Sequence, residues 1–504
     1  MRRFTHVPWL VAALLALALT LAPAAGAHHN PAHSPSPYDV EFEGESMTMD
    51  PSFAGANTPD SAAYLGNAKH VFANGSAKKT VTTTRPSVHL FVRVKPSHCL
   101  GPPEITIKAG GKTWWSGPVN GEGFQSIGAR ISLPAGSHEV EVAFTNNHDQ
   151  WAGPVKVCDR GVVVDHVAVV ASPFSATGWR NTPLSDTAPL WTEKNDLFRN
   201  EWIDQIDDDL NSTRQYKSGV WVGTDSWSTP VYTVPFDQPR VKVQAPPGAT
   251  PGLQEQWNEV PLPPDAQPAQ PHNGGDKVLV VWQPSTNTLW EFFVLERVDD
   301  PTKAPWKAVY GGRMTNVSSN EGHFPHPEPG PGGFGASASS IALLAGMQRI
   351  EEVRRAIETP GVAPLDHALD FAVVSPRGRA GWCWPAQRTD DHLTSLAPEA
   401  IPHGTRFRLP ASFDVDAYAA AHNMHPYAEM VAKTIKKYGM VARDSSSVAG
   451  WWAEDPTPTG TYPYAAFWNN KYPSALPGGL FENFPFDQLQ VLAPAGTGCE
   501  DKSP

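Results

Sequence analysis

Two carboxylates stand out by their surroundings. Glu291 sits inside the apolar run Leu289-Trp290-Glu291-Phe292-Phe293. Desolvation in such a run raises a carboxyl pKa, which suits a general acid. Asp444 follows the apolar stretch Met440-Val441-Ala442 and opens a Ser-rich loop. Two carboxylates across a scissile bond are the minimum for most glycoside hydrolysis. Glu291 and Asp444 are therefore expected to form a catalytic pair, with His367 and Arg406 as orienting or charge-stabilising groups. Other chemistries lack their motifs. Gly335-Ala336-Ser337-Ala338-Ser339 misses the closing glycine of a nucleophile elbow, the chain carries no H-E-x-x-H or P-loop, and no G-x-G-x-x-G stands in the strand-to-helix context that a dinucleotide site requires.

These residues need a scaffold, and residues 195–494 supply one. Runs 277–283 and 288–298 flank Pro284-Ser285-Thr286-Asn287, a turn composition, and predict a hairpin. Ile350, Val353 and Ile357 predict a helix over 348–357. Met430, Val431, Ile435 and Tyr438 predict another over 425–438, with lysines toward its C-terminal end and Gly439 as its stop. Strands are expected at 369–374 and 406–409. Tryptophans cluster in Trp382-Cys383-Trp384 and Trp451-Trp452. Trp384 and Trp451 are the expected platforms for sugar rings.

Residues 38–171 read differently. Alternating apolar stretches at 88–94, 104–108, 139–144 and 161–167 are punctuated by Gly110-Gly111 and Pro134-Ala135-Gly136. Short strands at this spacing predict a β-sandwich. Asn147, Asp149 and Asp159 place oxygens in one loop system, the ligand type that calcium takes. Trp114, Trp115 and Trp151 could offer apolar faces to pyranose rings. Of the four cysteines, Cys99 and Cys158 fall in this region and are expected to pair, leaving Cys383 and Cys499 to each other.

The order of several markers carries a family resemblance. Phe144-Thr145-Asn146-Asn147, Cys158-Asp159-Arg160 and Val163-Val164-Asp165 follow His98-Cys99-Leu100-Gly101-Pro102-Pro103 and the Lys108–Lys112 turn. Together they resemble the calcium-dependent xylan-binding carbohydrate-binding modules. The resemblance implies a jelly-roll-like sandwich presenting calcium to sugar hydroxyls. Two positions depart from it: Asn147 stands where an acidic residue is expected, and Gly161 where Asn is usual. Residues 195–494 resemble a group of secreted bacterial and fungal proteins without an assigned activity. The pieces are Trp282-Gln283-Pro284-Ser285-Thr286, Trp384-Pro385-Ala386, Gly404-Thr405-Arg406-Phe407-Arg408-Leu409 and Lys437-Tyr438-Gly439-Met440.

Composition bounds the partner and the compartment. The 504 residues hold 51 Pro and 18 Trp, carry a formal charge of −12 and are only 18% charged. An acidic chain without basic runs is not a general nucleic-acid binder. Arg2 and Arg3, an apolar run over 9–22 and Ala25-Gly26-Ala27 form the three-part layout of a signal peptide over 1–27. That run is too short to span a bilayer, so the protein is expected outside the cell, where disulfides are the default. A tether over 28–37, a linker over 172–194 and a tail over 495–504 complete the plan. The fold class expected is mainly β: a sandwich followed by a larger β-rich α+β domain. The expected partner is a polysaccharide, xylan-like or another plant or cell-wall glycan. A hydrolase is the first reading. A non-catalytic wall- or glycan-binding protein and a polysaccharide lyase, using His367, Arg406 and a tyrosine such as Tyr438, are the alternatives.

Overall fold

The computed structural model describes residues 38–211, 219–271, 273–299, 303–325, 333–378, 381–390, 393–469 and 478–501. The expected signal peptide and tether lie outside the described residues. The fold is mainly β, as its patterning predicts. Two antiparallel sheets form the first unit. One orders Gly55–Pro59, Asn67–Val71, Gly161–Ala171, Ser87–Ser97 and Gln125–Leu133, with Val40–Glu43 also paired to Gly161–Ala171. The other orders Thr48–Asp50, Gly75–Thr83, Gly136–Phe144, Glu104–Ala109 and Lys112–Pro118. Leu90, Val92, Val94, Ile107, Val142 and Val164 fill the space between them. Both expected disulfides are present, Cys99–Cys158 and Cys383–Cys499.

Ser87–Ser97 and Gly161–Ala171 are buried at nearly every position, not alternately. A strand reads this way when both of its faces are covered. The inner face meets the opposing sheet. On the outer face Val88, Phe91, Ala168 and Val170 join one core with Val231, Val280, Trp282 and Leu343 of the second unit. Ion pairs reinforce the seam: Arg130 Nε donates to Glu351 at 2.6 Å, and its Nη2 to Glu454 at 2.6 Å.

The second unit is built on two main sheets, beside a three-stranded one (Val243–Gln244, Trp306–Lys307, Glu296–Arg297) and a two-stranded one (Gly381–Cys383, Cys499–Asp501). A six-stranded mixed sheet orders Trp221–Gly223, Gly450–Trp452, Leu369–Val373, Met440–Ser445, Arg406–Arg408 and Gln490–Val491. Helices Thr192–Asn211, Ile350–Glu358, Val415–His422 and Pro426–Tyr438 share its core. A five-stranded sheet orders Tyr310–Thr315, Thr288–Phe293, Leu279–Gln283, Thr229–Thr233 and Glu454–Asp455. Two chain segments cross side by side between the sheets. Trp221–Gly223 leads to Thr229–Thr233, and Gly450–Trp452 leads to Glu454–Asp455, with parallel pairing at both levels.

Several expectations need correction. Residues 172–194 are not a free linker: Phe174 is 3% exposed and Arg180 1%. Arg180 donates to Asp370 at 2.8 Å, anchoring the segment in the second unit. Helix Thr192–Asn211 straddles the expected boundary at 194/195. Its apolar stripe is narrow, Phe198, Trp202 and Ile206 among acidic neighbours, so its period is weak in the sequence. The strand expected over 288–298 stops at Phe293, where Val294 takes a left-handed φ of 55°.

Candidate active-site cleft

A cleft of about 920 Å³ opens between the two sheets of the second unit. The six-stranded sheet contributes Trp221, Trp452 and Asp444; the five-stranded sheet contributes Thr229, Phe293 and Tyr310. Loops add Asp225, Trp227, Asp276, Arg388 and Asp390. Four aspartates thus share one opening with aromatic walls. Trp227 is 44% exposed, while Trp221 and Trp452 are nearly buried in the cleft wall.

Asp444 is the next-to-last residue of the strand Met440–Ser445, beside a parallel partner, Leu369–Val373. Its Oδ2 accepts from Ala338 N at 3.2 Å and its Oδ1 from Ser445 N at 2.9 Å. Burial pushes its carboxyl up to about 7, opposed by Arg443 and reinforced by the charge of Asp390. Asp276 is also raised, by desolvation first and then by Asp390, and Asp225 is raised by desolvation. Asp390 is therefore the charge through which two of the other aspartates feel the cleft.

The two cleft arginines are held in place by the protein. The Arg443 guanidinium lies 3.8 Å from the Trp452 ring centroid, and its Nη1 donates to Leu343 O at 3.1 Å and Asp370 at 3.4 Å. Arg388 donates to Tyr310 Oη at 2.7 Å and Ser337 O at 2.7 Å. Both arginines thus brace the segment 335–343 that floors the cleft.

Of the residues expected to act together, the cleft gathers only Asp444. Glu291 is fully buried behind the floor and does not line it. Its oxygens accept from Leu343 N at 2.6 Å and Ala336 N at 3.2 Å, while burial pushes its carboxyl up to about 7. Glu291 is a clamp, so the expected pair Glu291–Asp444 does not face a common substrate. His367 lies elsewhere, buried with Nε2 3.1 Å from Glu352 Oε2. Arg406 packs over Trp179 at 4.7 Å, and burial lowers it to about 10. Trp451 is 0% exposed among Trp202, Phe481 and Phe484, which makes it core and removes it as a sugar platform. Trp384 packs edge-on against Trp179 at 5.3 Å, away from the cleft. Asp225, Trp227, Asp276 and Asp390 were not singled out from the sequence. They sit on loops, and only the fold brings them together.

In the sandwich, Trp151 is 56% exposed on the hairpin formed by Asp149–Ala152 and Val155–Asp159. Trp114 and Trp115 are half-buried against the sandwich core, with Trp114 Nε1 donating to Ala109 O at 2.9 Å. Asp149 and Asp159 face each other across the hairpin, and Lys156 Nζ lies 3.1 Å from both. The Oδ1 atoms of Asn147, Asp149 and Asp159 are buried without a hydrogen-bond partner. Three such oxygens suit a hard cation, while Lys156 already supplies one positive charge. Among the described residues no cluster of three His, Cys, Asp or Glu side chains could hold a metal, so the donor set rests on one amide and two carboxylates.

Among the described residues no helix is long and apolar enough to cross a membrane. No family model and no curated protein matches the chain, so the expected likeness of residues 195–494 finds no support. Solved structures do match part of it. The CBM36-1 domain of a multidomain xylanase from the hindgut metagenome of Trinervitermes trinervoides is 13% identical with a TM-score of 0.22, covering 26% of this chain and 97% of that one. A carbohydrate-binding module CBM36 in complex with calcium and xylotriose is 19% identical with a TM-score of 0.20, covering 26% and 98%. A family 35 carbohydrate-binding module from Clostridium thermocellum is 15% identical with a TM-score of 0.21, covering 26% and 98%.

Proposed function

We propose that the chain is a secreted, glycan-binding protein whose second unit hydrolyses a polysaccharide in the cleft between its sheets. The observation that carries this reading is Asp444: a carboxyl with a pKa near 7 on the wall of an aromatic-lined cleft, next to the charge of Asp390. A carboxyl poised near neutrality can deliver a proton to a glycosidic oxygen. Asp390, on the same cleft, serves as the second carboxylate, which takes a proton from the attacking water or attacks the anomeric carbon itself. The exposed indole of Trp227 supports a sugar ring at the mouth.

The sandwich serves as the binding unit in this scheme and raises the local concentration of polymer at the cleft. Asn147, Asp149 and Asp159 would hold calcium there, with Lys156 displaced, and the ion would offer its open positions to sugar hydroxyls. Two disulfides fit an extracellular setting. The lyase reading is not favoured in this cleft, because His367 and Arg406 stand outside it.

The test is incubation with a panel of xylan, β-glucan, chitosan and polygalacturonate. New reducing ends that vanish in Asp444→Asn and Asp390→Asn support hydrolysis. Retention on a glycan without cleavage leaves a binding protein, and unsaturated-uronate absorbance would restore the lyase. Loss of glycan retention on chelation, returned by added calcium, tests the ion.

A further inference from the structure

A second cavity, of about 230 Å³, lies where the sandwich meets the rest of the chain. Arg85 reaches it from the sandwich, Asn181 from the 172–194 segment, and Arg349, Glu352, His367 and Tyr438 from the second unit. By the liquid share of about 30 Å³ per water, it has room for roughly seven waters. That also suffices for one compact organic acid.

Its charges are unevenly matched. Glu352 is engaged twice, by Ser172 Oγ at 2.6 Å and by His367 Nε2 at 3.1 Å. The other acid on the wall, Asp366, is held by Arg355 at 2.5 Å. Arg85 spends Nη1 and Nη2 on the carbonyls of Phe174 at 3.1 Å and Ser172 at 2.6 Å, which neutralise no charge. Arg349 is the least satisfied. Its side chain is 5% exposed, its Nε and Nη1 are buried without a hydrogen-bond partner, and Nη1 comes only within 4.0 Å of Glu352. Glu352 and the Trp282 ring, 5.7 Å from the guanidinium, offset part of its charge, but two buried N–H-bearing nitrogens without an acceptor are costly, and a carboxylate matches the planar fork bidentately.

We propose that this cavity is a binding site for a small carboxylate, held chiefly by Arg349 with Arg85 opposite. Asn181 and Tyr438 supply an amide and a hydroxyl to the same wall, so a hydroxy acid of monosaccharide size suits it better than a plain fatty acid. The ligand touches the sandwich, the connecting segment and the second unit at once. Its binding free energy therefore adds to the docking of the two units.

Thermal unfolding of the full chain with sodium glucuronate as probe tests this. Glucuronate should raise the midpoint saturably, by about 1 °C or more near tenfold its dissociation constant. Glucose, and sodium chloride at matched ionic strength, should not. Arg349→Met should abolish the shift. A shift retained in Arg349→Met, an equal shift with glucose, or a shift with sulfate alone overturns the proposal. Should Arg349→Met not fold, Arg85→Gln takes its place and should weaken the response at least tenfold. Hydrogen exchange of the wild type gives an independent reading. Glucuronate should slow exchange over 172–181, and unchanged exchange there overturns the site.

Discussion

Glu291 and Asp444 stand on different sheets and grip the same segment. Glu291 takes the backbone N–H groups of Ala336 and Leu343, and Asp444 takes that of Ala338. The floor of the cleft is thus slung between two carboxyls, one buried behind it and one facing the opening. Their substitutions should separate cleanly. Glu291→Ala orphans two backbone donors in a dry interior and should cost about 3 kcal/mol in urea unfolding. Asp444→Asn keeps an oxygen for one of its donors and should cost about 1 kcal/mol, yet lower turnover at least a hundredfold. Wild-type turnover in Asp444→Asn would remove it from the chemistry.

Both carboxyls tie stability to pH with the same sign. Their pKa values rise to about 7 on folding, from 3.8 for Asp444 and 4.5 for Glu291. The native state therefore binds more protons than the unfolded state between roughly pH 4 and 7, and stability falls as pH rises through that window. Below the unfolded values the contribution is complete; above about 7 it is gone. Unfolding free energies measured from pH 4 to pH 8 should show this decline. Glu291→Gln and Asp444→Asn should each flatten it, and an unchanged slope in both variants would contradict the assignment.

What the sequence could reveal follows the range of the interactions. The sandwich strands, the hairpin around Pro284-Ser285-Thr286-Asn287 and the helix Pro426–Tyr438 depend on local alternation, turn chemistry and capping. All are legible in the chain. Helix Val415–His422 escaped notice because its Ala-rich face has almost no amphipathic contrast, although Asp414 caps it through Ala417 N at 3.0 Å. The cleft was half legible. Asp444 could be suspected from its strand-end position, and Glu291 from its apolar run. The same apolar run that raises the pKa of Glu291 also walls it off from substrate, and no local pattern separates those outcomes. Asp276 and Asp390 lie more than a hundred residues apart in ordinary loop composition. Only the tertiary packing of the second unit brings their loops to one opening.

The seam between the two units should behave as a structural joint. Arg130 bridges Glu351 and Glu454 by direct ion pairs, and those two carboxylate side chains are 2% and 1% exposed. Removing the guanidinium strands two buried carboxylates. Arg130→Met should therefore destabilise the protein by about 3–5 kcal/mol. Partial proteolysis should then release the sandwich as a separate fragment before the second unit is cut. A single wild-type-like transition would show that the apolar seam of Val88, Phe91, Ala168 and Val170 suffices alone.

Trp227 gives the test that separates recognition from chemistry. Its backbone adopts a left-handed φ of 49°, and its N–H donates to Gln270 O at 2.7 Å, which fixes the indole's base while 44% of the residue stays exposed. A non-glycine residue in that conformation carries local strain. Trp227→Ala removes the ring without touching a core contact, and Trp227→Gly also relieves the backbone. Both should raise KM about tenfold, in line with the loss of an aromatic contact, with kcat within a factor of two. Trp227→Gly should melt no lower than Trp227→Ala if the strain is real. A fall in kcat at constant KM would instead place the indole against the reacting bond and shift the cleavage point toward the mouth of the cleft.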